Sequence, residues 1–168
     1  MSSAGPVTIR ANAKLTRTLR MTGVRSDGFH LLDAEMVSLE LHDLITIDPS
    51  GSGISVTGPF AGGVPTDGSN LAARALDLLG RDAHVHIDKR IPHGGGLGGG
   101  STDAAAVLHW GGFGTDAESL AAAAPLGADI PFCLIGGRAR VTGIGEVVEP
   151  LPHIDRPITL VIPPLGVS

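Results

Sequence analysis

Residues 91–103 read Ile91-Pro92-His93-Gly94-Gly95-Gly96-Leu97-Gly98-Gly99-Gly100-Ser101-Thr102-Asp103, and six of the seven residues from Gly94 to Gly100 are glycine. Glycine admits positive φ and lets backbone N–H groups approach a ligand with no Cβ in the way. Before this stretch, His84–Lys89 alternates as a strand does. After it, Ala104–Trp110 is Ala-rich and predicts a helix with Ser101, Thr102 and Asp103 at its start. A glycine run between a strand and a helix N-terminus combines free N–H donors with the positive end of a helix dipole. That is an anion site, and a phosphate chain is the anion it suits best. Ser101 and Thr102 add hydroxyls for a phosphate or its magnesium. No Lys precedes Ser101, so this is not the Gly-x-x-x-x-Gly-Lys-Ser/Thr loop, and the acidic residue of a dinucleotide fingerprint is missing. A flexible linker is the other reading of a glycine run, but linkers do not sit between a strand and a capped helix.

Working outward, the first half reads as short strands: Val7–Ala11, Lys14–Met21, Val37–Leu41, Leu44–Ile47 and Ile54–Thr57. Turn-rich Gly23–Gly28, His42-Asp43 and Pro49–Gly53 divide them. Asn70–Leu79 changes period, with Leu71, Ala72, Ala75, Leu76 and Leu79 on one helical face, Ser69 or Asn70 as cap and Gly80 as stop. A small helix follows over Ala117–Ala123, then strands near Pro131–Ile135 and Ala139–Thr142, and a final apolar run at Ile158–Ile162. Strands first and mixed units later predict an α+β fold with an antiparallel or mixed sheet.

Hydrophobic residues make up 42% of the 168, enough for one domain with a real core. A net charge of −5 and 3% aromatics argue against nucleic-acid binding, which needs basic excess and stacking platforms. Cys133 is the single cysteine, so there is no internal disulfide or cysteine metal cluster. No window approaches the ~20 apolar residues of a membrane span, and Met1–Arg10 lacks a secretory pattern. The expectation is a cytoplasmic protein with a small-molecule partner, no nucleic acid and no membrane.

Residues Ile91–Ala105 resemble the phosphate loop of the GHMP kinases. Three further segments agree in order: Ala13-Lys14-Leu15, Asp27-Gly28-Phe29-His30 and Leu126-Gly127-Ala128-Asp129-Ile130-Pro131-Phe132, with Gly143–Glu146 as a weaker fifth. The second and third of these resemble the branch of that superfamily whose acceptor is a cytidine diphosphate-linked methylerythritol in the non-mevalonate route to isoprenoid precursors. The resemblance implies a mixed sheet with helices on one side, of the ribosomal-protein S5 domain 2 type. Residues 1–150 would be the N-terminal ATP-binding domain, and 151–168 a terminal strand or the start of a second domain. It implies ATP and Mg2+, with the γ-phosphate passing to the 2-hydroxyl of the acceptor. By position, Asp129 would take the hydroxyl proton and Lys14 would stand beside it. Pro92, His93, Gly94, Gly95, Gly96, Leu97, Gly98, Gly99, Gly100, Ser101 and Thr102 would hold the phosphates. Asn70 and Lys89 would lie on the adenine and ribose side, and Ser101 would be the magnesium ligand. Thr16, Phe29 and His30 would bind the acceptor together with Asp129, Phe29 stacking on the base.

The chemistry agrees: a carboxylate can accept the proton, and an adjacent ammonium keeps it ionised and offsets phosphoryl charge. Taken alone, Asp129 reads as a helix cap and Lys14 as a solvated strand lysine. Two features depart from the family. Thr16 stands where an asparagine is usual, and nothing matches the family's second domain. A kinase for another small alcohol, a nucleotide-binding module without turnover, and a homodimer that completes the cleft are the alternatives.

Overall fold

The computed structural model describes residues 5–162. Its longest feature is an antiparallel ribbon of β1 (Val7–Val24) and β2 (His30–Asp48). Each is one strand where the sequence predicts two. In β1 the register shifts at Thr16/Thr18 and Met21/Gly23 are bulges that each add one residue and twist without ending the pairing, and at Asn12/Lys14 the extra residues are on the partner strand. In β2, Asn12 pairs with His42 but Lys14 pairs with Ser38, so the slip lies across Leu39–Leu41. The buried positions change there from even (Ala34, Met36) to odd (Asp43, Ile45, Ile47). An alternation that changes phase looks like two strands when read as sequence.

β1 occupies one edge of β2. The other edge is shared by β4 (His84–Asp88), paired with Leu44–Asp48, and β5 (Arg138–Gly143), paired with Leu32–Val37. The glycine-rich stretch leaves the end of β4 beside the part of β2 between these two partners. β3 (Gly53–Thr57) runs parallel to β4, and β6 (Val147–Pro150) antiparallel to β5, which makes the six-stranded sheet mixed.

Four helices complete the α+β fold. In α1 (Leu71–Leu79) the Asn70 side chain accepts from the Ala72 N–H at 2.8 Å, and Gly80 ends the helix at φ 60°. α2 (Gly99–Trp110) begins inside the glycine run, five residues before the alanines that predict it. α3 (Ala117–Ala123) has its expected bounds. α4 (Ile130–Ile135) is a helix where a strand over Pro131–Ile135 was expected. A short apolar run buried all round has no period to separate the two states, and Pro131 costs nothing in a first helical turn. Residues 151–162 contain no strand, so the one expected at Ile158–Ile162 is absent, and Pro163–Ser168 lie outside the described residues. Among the described residues no helix is long and apolar enough to cross a membrane.

The main core packs Ile45, Ile47, Val85 and Ile87 of the sheet against Ala72, Ala75 and Leu76 of α1 and Ala104–Leu108 of α2. Thr102–Leu108 are buried without interruption, so α2 is a central helix whose alanines permit close approach on every side. Ala34, Met36, Ala139 and Val141 form a second cluster with Phe132 of α4. A third, Ala13, Ile91 and Leu97, pins the glycine-rich loop onto β1.

Candidate active site

Three features shape the loop. Gly94, Gly96 and Gly98 have φ of 75°, 70° and 67°, a left-handed conformation at alternate residues. Alternating backbone hand turns successive N–H groups toward one concavity. Gly98 is the N-cap of α2 and offers no side-chain hydrogen bond, so the N–H groups of the first turn have no cap. Leu97 gives its side chain to the core and its carbonyl to the Lys14 N–H at 2.9 Å, tying the loop to β1. The outcome is an open cavity of about 300 Å³ whose lining includes Pro92, His93, Gly94, Gly96, Gly98–Ser101 and Asp129. A larger cavity, about 830 Å³, lies between Val37–Leu41 and residues 153–160. It contains neither the loop nor Asp129, so size does not locate the chemistry here.

Asp129 occupies the N-cap position of α4 but makes no capping hydrogen bond. Its carboxylate turns instead to Lys14, with Nζ–Oδ2 at 2.9 Å. The capping reading of Asp129 is therefore excluded by geometry, and so is the solvated reading of Lys14, which is only 7% exposed. Lys14 also donates to Thr16 Oγ1 at 3.1 Å. Its stem lies over Gly98, where a Cβ would come 2.7 Å from Lys14 Cγ. Gly98 thus serves two needs, its positive φ and the passage of the lysine. The lysine approaches from β1, the aspartate from α4 and the phosphate loop from between them.

Other residues fall less directly into place. Phe29 and His30 are exposed at the ribbon's tip, Phe29 under the Arg25 guanidinium at 5.4 Å. Asp27 holds that turn by accepting twice from Arg25, which keeps its carboxyl below the usual range. None of their described contacts reaches Lys14, Asp129 or the loop. The link is indirect: Leu32 pairs with Gly143, and Gly145 in the following turn abuts the Ala128 carbonyl beside Asp129. Two expected nucleotide contacts need correction. Thr102 is buried and its hydroxyl donates to the Asn12 carbonyl at 2.7 Å, so it faces β1 and not the cavity. Asn70 uses its oxygen as the α1 cap and its amide on the Pro65 carbonyl at 2.7 Å. Ser101 does line the cavity.

Lys89 is the third correction. It is 2% exposed and lies beneath the loop, its Nζ bonded to Asp43 Oδ2 at 2.5 Å and Asp103 Oδ2 at 2.7 Å. No face of the ammonium is free for a ribose. Asp43 in turn accepts from the Arg90 and Ile91 N–H groups at 2.5 and 2.8 Å. Burial pushes the Asp103 carboxyl up to about 7, outweighing the adjacent ammonium, and the Asp43 carboxylate adds to the rise. Sequence reading missed the two carboxylates. The available signal was Asp43 itself, an acid amid apolar residues on a strand that needs a buried cation as partner.

The mixed sheet thus sets a glycine-rich loop that opens a buried helix beside Asp129, which lines the loop's cavity and pairs with Lys14. Residues 70–137 match the family model described as GHMP kinases N terminal domain, and the fold is that of a GHMP kinase N-terminal domain. In sequence the chain is similar to the 4-diphosphocytidyl-2-C-methyl-D-erythritol kinases. The one from Paracoccus denitrificans is 45% identical over 159 residues, covering 94% of this chain and 56% of the relative. That from Streptomyces coelicolor is 44% identical over 153 residues, 83% of this chain and 51% of the relative. A crystal structure of 4-(cytidine 5'-diphospho)-2C-methyl-D-erythritol kinase superposes with a TM-score of 0.65 at 36% identity, covering 86% of this chain and 55% of that one. Methanococcus jannaschii mevalonate kinase, at 12% identity and a TM-score of 0.55, shares the fold. The chain thus spans little more than half the length of the relatives it matches.

Proposed function

We propose that this chain is the nucleotide-binding, base-bearing part of an ATP-dependent kinase acting on the 2-hydroxyl of 4-diphosphocytidyl-2-C-methyl-D-erythritol. One observation carries the reading: Asp129, paired with Lys14, lines the same cavity as the glycine loop. A hydroxyl in that cavity would lie between a carboxylate that can take its proton and N–H donors that hold a phosphoryl group in line. Lys14 holds the Asp129 carboxylate in place through their 2.9 Å salt bridge. As the proton arrives and the pair loses its salt bridge, the ammonium is left to face the oxygens of the phosphoryl group. Residues Gly94–Ser101 hold the phosphates by backbone N–H groups. The Ser101 hydroxyl, which lines the cavity, would hold magnesium, and the ion would supply charge neutralisation; an ion carried by phosphates and water needs few protein oxygens.

For the acceptor, Phe29 offers an aromatic face to the cytosine and His30 its imidazole to the polar edge. Thr16 stands on β1 two residues beyond Lys14 and presents its hydroxyl next to the pair. Residues up to 150 constitute the nucleotide-binding domain, and the following segment leads toward a second one. The similarity to kinases of this one acceptor, 40% or more identical over most of this chain, supports the choice among alcohols. The second reading is a nucleotide-binding module without turnover.

ADP formation with Mg-ATP separates the readings, using diphosphocytidyl methylerythritol, mevalonate, homoserine and no acceptor. Turnover with the cytidyl acceptor alone is expected. Equal turnover with mevalonate or homoserine overturns the acceptor assignment, and none with any acceptor leaves the module.

A further inference from the structure

We infer that Lys89 is a positioning residue for the phosphate loop: through Asp43 and Asp103 it clasps the loop's start to its end and sets the curvature on which N–H convergence depends. The inference rests on the phosphate-binding reading of that loop. Three elements meet at the Lys89 ammonium. Asp43 comes from β2 and, besides Lys89, holds the N–H groups of Arg90 and Ile91, the first two residues of the loop. Asp103 comes from the first turn and a half of α2, directly after the loop's end. Lys89 itself is fixed along its backbone, its N–H donating to the Thr57 carbonyl at 2.7 Å and its carbonyl accepting from the Phe60 N–H at 3.2 Å.

The ammonium also lies against the loop's end. A Cβ on Gly99 would come 2.7 Å from Nζ and 3.3 Å from Ile91 Cγ2. Gly99 therefore lacks a side chain because the lysine passes there, and the first turn of α2 rests on a buried cation. All three residues are at most 2% exposed. The cluster carries two carboxylates for one ammonium, and Asp103 Oδ1 has no hydrogen-bond partner among the described residues. Desolvating such a group is expensive, and for stability alone a well-packed apolar cluster would serve as well or better. What the ion cluster supplies and apolar packing does not is directional bonding, which fixes the loop's start relative to its end.

The test compares the ratio of the adenosine to the ATP dissociation constant, the part of affinity that phosphates contribute, in the full chain. Lys89→Met strands two buried carboxylates and can prevent folding. Asp103→Leu is the decisive variant, since Lys89 and Asp43 remain as a balanced pair and the fold is expected to hold. Its ratio is expected to fall tenfold or more, with adenosine affinity within twofold of wild type and thermal stability not reduced. Asp103→Asn keeps an oxygen for the ammonium and is expected to restore the ratio to within threefold. A folded Asp103→Leu with the wild-type ratio overturns the clasp while leaving the phosphate loop standing. A wild-type ratio near one overturns the loop reading and the clasp together.

Discussion

Two glycines in the loop have no structural reason to be glycine, and Gly100 is the sharper of them. Its φ is not positive, it lies in the first turn of α2, and a Cβ there meets only Leu71 Cδ1 at 3.5 Å, an ordinary contact. Alanine fits without strain and is a better helix former than glycine by up to about 1 kcal/mol. Gly100→Ala should therefore raise the stability slightly, by a few tenths to 1 kcal/mol, read from urea unfolding. If phosphates pack against that turn, the added methyl occupies their path. ATP affinity should then fall at least tenfold, or about 1.4 kcal/mol, in calorimetric titration. A variant that becomes more stable and loses ATP isolates ligand clearance from folding. Wild-type ATP affinity in Gly100→Ala would refute the reasoning, because the glycine would then have neither a structural nor a ligand role.

Gly98→Ala should behave oppositely. It is strained at φ 67° and its Cβ strikes the Lys14 stem, so a loss of roughly 1–3 kcal/mol in denaturant unfolding is expected. Asn70→Ala should cost about 1 kcal/mol by removing the α1 cap and leave ATP affinity within twofold; a large affinity loss would return Asn70 to the nucleotide. Asp103 holds its proton more tightly folded, near 7, than unfolded, near 3.8. Folding then takes up a proton between these values, so this stability contribution is full below about pH 4 and lost as pH rises toward 7. Relative to Asp103→Asn, the wild type should lose on the order of 2–4 kcal/mol between pH 4 and pH 8, and parallel pH profiles would contradict the assignment.

The local signals in the sequence were strong where one residue type had one use. The α1 cap and stop and the glycine-rich turn were legible because Asn70, Gly80 and the loop glycines act on the backbone immediately around them. The bulges in β1 and the phase slip across Leu39–Leu41 were not, since they depend on what pairs across the ribbon. α4 was hidden for the same reason, its apolar run being buried on all sides. In the site, residue types pointed to Lys14 and Asp129, but their distance came from the fold. Family position points Lys89, Thr102 and Asn70 toward a ligand, whereas their polar atoms bond within the protein.

The central claim is that Asp129 takes the proton in phosphoryl transfer while the loop holds the nucleotide. Its most direct test is Asp129→Asn, which keeps the shape and removes the base, measured for both ATP affinity and single-turnover phosphorylation of the cytidyl acceptor. The expected result is ATP affinity within about threefold of wild type and a rate lowered by a factor on the order of 10²–10⁴. A rate above one tenth of wild type, with affinity unchanged, would contradict the account.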